Sequence, residues 1–425
     1  MPKLLFVVFL LAYATNCYAQ ITMAEIDSIK TAQDSIKKSA YLKNIGNGYL
    51  PLNYFDLDLR YLIKFNQYEG FRTGLGGVTN DRFSEWFRIN SYVVYGFKDH
   101  RFKYKIGGGL RLKESTNTWL NFAYKDDLQE TGSSSFLTDK RFFTFFEPRL
   151  LNIDLFHKYI QKSVSLEHTF SNHLLSETAF SVNKIDPTYN YTYALDGENY
   201  NTFDLSMAQV SLQWSPFSAF DIVEDNVVTI KDGYPKFTVQ LTQSFKSIFG
   251  SDFNFSKVDF RTIQKFNHKN NATTKLTLVA GIAGGDAPLT HLYHAYPNNI
   301  TKETILQRFS VAGLNSFETM YFNEFFSDKF STLQIKHVLP PFKISERFKP
   351  QLVLISRYAI GDMNSKRRHQ GVAFETLRHV YSESGFEINK LLFGFGLSFA
   401  YRYGGYHLPN FEDNIAFKFT FNISL

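Results

Sequence analysis

Cysteine is nearly absent: Cys17 is the single one among 425 residues. It falls in the N-terminal stretch, so the body of the chain has no disulfide framework and no thiolate metal site. Long apolar runs are missing as well. No stretch approaches the about 18 consecutive apolar residues of a spanning helix, which excludes a helical membrane protein. Nor is there an excess of one charge, since a formal +6 over 425 residues is too mild to argue for nucleic acid. Aromatics, by contrast, are abundant, with 45 Phe and 25 Tyr. A membrane β-barrel uses them twice, in a lipid-facing band and in the amphipathic girdles at its rims.

The last eleven residues, Ile415 to Leu425, alternate without a break. Ile415, Phe417, Phe419, Phe421, Ile423 and Leu425 fall on one strand face, and Ala416, Lys418, Thr420, Asn422 and Ser424 on the other. The length matches the roughly 9–11 residues with which a tilted strand crosses a bilayer. Phe417, Phe419, Phe421, Ile423 and Leu425 are the candidate insertion signal, to be read by a barrel-assembly machinery. At the other end, Lys3 precedes the apolar run Leu4 to Ala12 and the small-residue site Cys17-Tyr18-Ala19. This reads as a signal peptide over residues 1–19, with Gln20 the first mature residue. Acylation at Cys17 is the weaker reading, because Asn16 is bulky and polar where a small residue is wanted. The expected location is the outer membrane of a Gram-negative bacterium.

Residues 20–55 lack barrel alternation and read as a periplasmic segment, either a short helix or a mobile leader. Asp27-Ser28-Ile29-Lys30 recurs there as Asp34-Ser35-Ile36-Lys37. Residues 56–425 form the expected barrel: all-β, antiparallel and transmembrane. Ten alternating segments run from Phe71 to Ile282 and five from Ser331 to the end. A change of phase near Ala208 suggests a bulge. Both barrel ends lie in the periplasm and the longer loops outside, so the strand number is even. If the connection from Asp286 to Phe326 is external, an odd number of strands precedes it. One is then missing, with Phe142 to Phe146 and Tyr189 to Leu195 as candidates, and eleven plus five gives sixteen; fourteen stays open.

Three stretches carry a family resemblance: Phe65 to Arg72, Phe317 to Met320 with Asn323 to Lys329, and Ser384 to Asn389. They resemble a Bacteroidetes outer-membrane family whose larger members carry a carboxypeptidase-regulatory-like N-terminal domain. Its barrels are similar to the BamA/surface-antigen superfamily, which implies sixteen strands and a long loop before the last five. The resemblance covers most of residues 56–425. The stretch before it is too short for the regulatory-like domain or for POTRA repeats. The loop also reads Val311-Ala312-Gly313-Leu314, without the arginine of the superfamily's loop motif. That departure weakens any transfer of an insertase or secretion-pore mechanism.

Arg72, Arg88, Lys103, Lys105 and Arg111 would face inward if the apolar residues face lipid. They form either an anion-attracting wall or the partners of inward carboxylates such as Glu167, Glu177, Glu383 and Glu387. Phe317, Met320, Tyr321, Phe322, Phe325 and Phe326 are too apolar to stay in water, so the long loop is expected to fold into the lumen. Glu318, Glu324 and Asp328 would then latch it by neutralising Arg72, Arg88 and Lys105. His291 and His294 invite a metal reading, yet they have no third ligand at a telling spacing and read as surface-loop residues. Lys366-Arg367-Arg368-His369 reads as a solvated turn, or as a site for lipopolysaccharide phosphates. No serine and histidine share a strand face in a hydrolase arrangement. No catalytic residue, metal site or cofactor is assigned. Two functions remain open: a transport or assembly barrel of BamA-like architecture with a periplasmic partner, or a closed binding barrel using the 286–326 loop as its contact surface.

Overall fold

The structure, a computed structural model, describes residue 45 and residues 48–421, apart from 138–147, 152, 224–225, 302–309, 346–347 and 393. The expected signal peptide, most of the leader, Phe142 to Phe146, Ile423 and Leu425 lie outside the described residues. No described helix is long and apolar enough to cross a membrane.

Sixteen wall segments follow one another among the described residues. The first, β1, is broken: Phe55–Asp58 and Ile63–Asn66 flank a 3-10 turn, Leu59–Tyr61. Both halves pair with β2, Gly70–Thr79, which makes them one strand of the wall. Then come β3 Phe87–Gly96, β4 Arg101–Lys113, β5 Thr118–Glu130 and β6 Phe156–Ser171. Next are β7 Leu174–Pro187, β8 Phe203–Trp214, β9 Lys236–Ser244, β10 Phe255–Asn267 and β11 Thr273–Gly285. After the long connection follow β12 Lys329–Val338, β13 Gln351–Asp362, β14 Tyr381–Leu392, β15 Phe395–Gly404 and β16 Ile415–Phe421. Each pairs antiparallel with the next.

Eleven strands therefore precede the long connection and five follow it. The strand missing from the sequence reading is β1. Asp58 caps the Arg60 backbone N–H at 3.0 Å and breaks the alternation there, leaving two runs too short to recognise. The sheet also starts earlier than residue 56, because Tyr49–Pro51 pairs with the first half of β1. Tyr189 to Leu195 is not a wall strand. Its Thr192–Leu195 part joins Glu198–Tyr200 and His369–Gln370 in a separate small sheet.

The wall is apolar outside and polar within. Phe102, Ile106, Leu110, Val164, Leu241, Leu354, Leu397 and Phe417 are exposed, while Thr238, Gln240, Asp259, Arg261, Gln334, Arg357, Glu383 and Arg402 are buried. That inversion of a soluble protein is what a lipid surround demands. On β15, Phe395 and Leu397 face out, and Gly396, Ser398, Ala400 and Arg402 face in. Cysteine scanning should therefore find Leu397 accessible to a lipid-dissolved quencher and Ser398 only to an aqueous thiol reagent. Lipid contact at Ser398 would invert the register.

There is no bulge at Ala208. The β8 register runs unbroken against both neighbours. What changes is the address of the apolar residues. Phe203 and Leu205 point inward, beneath a cap of loops, whereas Leu212 and Trp214 point outward and are exposed. Tyr159, Ile185, Phe255, Phe330 and Tyr381 are likewise buried in the cap core.

The seam between β16 and β1 is unusual. Among the described residues no ladder joins the two strands. The outer edge of β16 instead carries Ser310–Val311 in parallel, with Ala312 N–H donating to the Phe419 carbonyl at 2.7 Å. Tyr49–Pro51 occupies the far edge of β1. Part of each edge is thus covered by a short piece of the same chain, one established way of blunting an unpaired strand.

Candidate functional site

The connection between β11 and β12 folds inside the wall. Its aromatic content dictates this: Phe317, Met320, Phe325 and Phe326 are all at most 3 % exposed. They pack with Leu289 and Tyr293 of the same connection, with Tyr191 and Tyr193 from the β7–β8 loop, and with Phe374 and Leu377 from the β13–β14 loop. Within the connection, Pro297–Asn299 and Phe317–Tyr321 pair in parallel, which gives the cap its own backbone partners.

Charged groups fasten this cap to the wall. Glu383 of β14 accepts from Thr319 N at 2.6 Å, Thr319 Oγ1 at 2.6 Å, Glu318 N at 3.1 Å and Arg357 Nη1 at 2.5 Å. The Thr319 hydroxyl has one hydrogen, given to Glu383, so Tyr381 OH at 2.8 Å is the donor to Thr319. Glu318 accepts from Asn298 Nδ2 at 2.7 Å, Ser316 Oγ at 2.8 Å and Gly313 N at 3.1 Å. Lys418 of β16 lies 3.4 Å from it and Arg357 of β13 4.0 Å. Two buried carboxylates thus face two buried cations, each carboxylate with several donors, the condition under which buried charge is tolerated.

Glu324 makes a second fastening, accepting from Arg402 of β15 at 2.7 and 3.1 Å in a forked pair. The Arg402 guanidinium also lies 4.8 Å over the Tyr381 ring. Asp328 accepts from the Asn364 backbone at 2.7 Å. Glu324→Arg should make the loop protease-sensitive in intact protein, and adding Arg402→Glu should restore protection. Equal sensitivity of the single and double variants would refute the pairing.

A third fastening joins the loop to β5. His294 Nε2 lies 2.6 Å from Glu130, and its Nδ1 accepts from Tyr296 N at 3.0 Å. Those two bonds select a neutral ring with hydrogen on Nε2. Burial holds this imidazole below its ordinary value, with Glu130 opposing. Arg149 also bonds Glu130 and reaches the Pro297 carbonyl at 3.0 Å.

The expected latch partners were therefore wrong. Glu318 and Glu324 meet Arg357, Lys418 and Arg402 of the strands that follow the loop, not Arg72, Arg88 or Lys105. The early cations already have carboxylates nearby. Arg72 pairs with Asp127 at 2.7 Å, Lys103 with Glu69 at 2.6 Å, and Arg88 with Glu167 at 3.0 Å while stacking on Trp119 at 4.4 Å. Arg111 lies 5.7 Å from the same indole, and Lys105 lines the lumen. Glu69 lies in the Phe65–Arg72 stretch, and the loop carboxylates and Glu383 lie in or beside the other two stretches.

His291 and His294 are not surface residues. Both are inside, with the His291 ring 6.4 Å from that of His157 and 5.6 Å from Phe255. Among the described residues no cluster of ligand side chains fits a metal ion. In the 366–369 turn, Lys366 pairs with Glu375 at 3.0 Å, Arg368 with Asp286 at 3.0 Å, and His369 bonds Tyr191 OH at 2.9 Å. Beneath the cap lies a polar cavity of about 510 Å³, lined among others by Asn90, Asn121, Gln161, Gln240, Asp259 and His291.

Residues 52–283 match the C-terminal domain of a family of unknown function, DUF5686. The chain belongs to the DUF5686 family. Of the three stretches noted above, only Phe65–Arg72 lies inside the DUF5686 match. No curated protein matches the chain. Among solved structures, this DUF5686 chain is similar to BamA from Haemophilus ducreyi lacking POTRA domains 1–3. The TM-score is 0.51 at 10 % identity, over 84 % of this chain and 68 % of that one. CdiB from Acinetobacter baumannii and CdiB from Escherichia coli each give 0.43, at 10 % and 9 % identity. They are covered over 57 % and 60 % of their length, so the chain spans less than two thirds of either. The likeness to BamA is one of fold, and this DUF5686 member is a BamA-like β-barrel.

Proposed function

We propose that this barrel is a non-catalytic component of membrane assembly or translocation in the outer membrane of a Gram-negative bacterium, its long loops external. A periplasmic partner would supply what the barrel itself does not, and the barrel-assembly machinery would insert it. The observation that carries the reading is the seam: among the described residues β16 and β1 are not laddered to each other, and Ser310–Val311 sits on the β16 edge. A segment held by two residues of pairing is easily displaced by a longer strand, which adds to an open edge by the same backbone bonds. The rival reading needs the 286–326 loop as an outer contact surface. Burial of Phe317, Met320, Phe325 and Phe326 argues against it.

Proteoliposomes holding the purified protein provide the test. An added, unfolded outer-membrane barrel should fold several-fold faster than in empty liposomes. A disulfide between Val311→Cys and Phe419→Cys, which face each other in register, should remove the acceleration until it is reduced. Folding at the empty-liposome rate would sink the assembly reading, and a large steady ion current would point to a porin instead.

A further inference from the structure

We propose that the outer wall at β4–β7 holds a phosphate-bearing lipid, with its phosphate on Lys162 and Lys184 and an acyl chain in the groove beneath them. This rests on the transmembrane barrel alone and is independent of the assembly reading.

The two lysines share the lipid face. On β6, Lys162 alternates with exposed Ile160, Val164 and Leu166. On β7, Lys184 is exposed between buried Asn183 and buried Ile185. The register sets Lys162 opposite Val182 and Ile160 opposite Lys184, so the lysines are diagonal neighbours. Like charges so placed repel, and an anion between them removes the repulsion. Among the described residues neither forms an ion pair. Three carboxylates share the patch. Asp186 is matched by Lys158 at 3.6 Å, Asp126 lies in the field of Arg101, and Asp204 stands opposite Lys184 in the β7–β8 register without forming an ion pair with it.

Their depth is that of headgroups. A tilted strand crosses the hydrocarbon in roughly 9–11 residues. β6 has 16 residues and β7 has 14, so both overshoot that layer. Measured from the tight turn between them, Lys162 and Lys184 come as that crossing length is used up, one on residues 162–171 and the other on 174–184. Just below that level the outward residues are Val164, Leu166, Phe180 and Val182, with Thr178, Ser176 and His168 nearer the turn.

The groove lies just beneath. It has a volume of about 510 Å³ and is lined by Ile106, Gly108, Phe122, Val164, Phe180, Phe249 and Lys162 itself. Pockets for small ligands occupy roughly 300–1,000 Å³. Gly108 leaves the floor open: a Cβ there would meet only the Arg88 carbonyl, at 3.5 Å, so wall packing does not require glycine. Phe249 closes one side, its ring 5.9 Å from Phe180. It stands in the left-handed region at φ 47° and is 72 % exposed. A residue with a side chain adopts that backbone at a cost, and here the result is an aromatic ring laid over the lipid face.

Native mass spectrometry of the full protein, purified in detergent and offered phosphatidylglycerol, is the test. The wild type should retain one phosphatidylglycerol, and neither diacylglycerol of the same chains nor inorganic phosphate should compete. Lys162→Gln with Lys184→Gln should lower occupancy about tenfold. Gly108→Leu should lower it by filling the groove, with heat-modifiable migration on gels confirming that both variants fold. Unchanged retention in the folded double lysine variant would overturn the proposal. Equal binding of diacylglycerol would remove the phosphate, and competition by inorganic phosphate with Gly108→Leu silent would remove the acyl chain; either result overturns it.

Discussion

Arg357→Met should destabilise the barrel by about 3–5 kcal/mol, the usual consequence of stranding a buried charge. The Arg357 side chain is 2 % exposed, and its guanidinium is the cation nearest Glu383. Without it, Glu383 keeps its bonds to Thr319 but loses its counter-charge, while Glu318 keeps its three hydrogen-bond donors and Lys418 as its cation. The urea midpoint, followed by heat-modifiable migration, measures the loss. Arg357→Met combined with Glu383→Gln should recover much of it, because the second change removes the stranded carboxylate. Strict additivity of the two, or a single-variant cost below about 1 kcal/mol, would show that the network is not coupled.

Phe417→Arg with Phe419→Arg should keep the chain out of the membrane altogether. Both rings lie on the outer face of β16, 47 % and 43 % exposed, alternating with buried Ala416 and Lys418. Arginine on the lipid face of a barrel costs about 2–4 kcal/mol at the midplane. Two such changes, about 4–8 kcal/mol together with two aromatic anchors lost, remove most of the about 5–15 kcal/mol that folded proteins have in reserve. Cell fractionation should find the variant in the periplasm, unfolded by gel migration, while leucine at both positions should insert normally. Outer-membrane levels equal to wild type would remove the aromatic stripe from the insertion signal.

Much of the wall was legible because alternation is local. Leu397 against Ser398, or Phe417 against Lys418, announces its face from neighbours two residues away. Parity then required eleven strands before the long connection, although β1 itself was hidden by the turn at Leu59–Tyr61. Apolar residues inside the wall were harder to place. Phe203 and Leu205 obey the same alternation as Ser211 and Gln213 but answer to a cap that only tertiary structure supplies. The ionic partners were least legible of all. Which cation meets Glu318 depends on how far the loop leans across the lumen, and nothing within a few residues of Glu318 encodes that. Loop burial was foreseeable from Phe317, Met320, Phe325 and Phe326; its direction was not.

That direction bears on the order of assembly. Arg357, Glu383, Arg402 and Lys418, which hold the cap, all come later in the chain than the loop they hold. While the first eleven strands emerge and pair, the loop can reach Glu130, Arg149 and the Tyr191 and Tyr193 rings, but not the charged groups of β13 to β16. The ionic contacts of Glu318 and Glu324 cannot form until β13 to β16 are in place. A capped lumen is therefore a record of completion, and a chain truncated after β12 would present a sticky, unsealed intermediate of the kind that chaperones and proteases recognise.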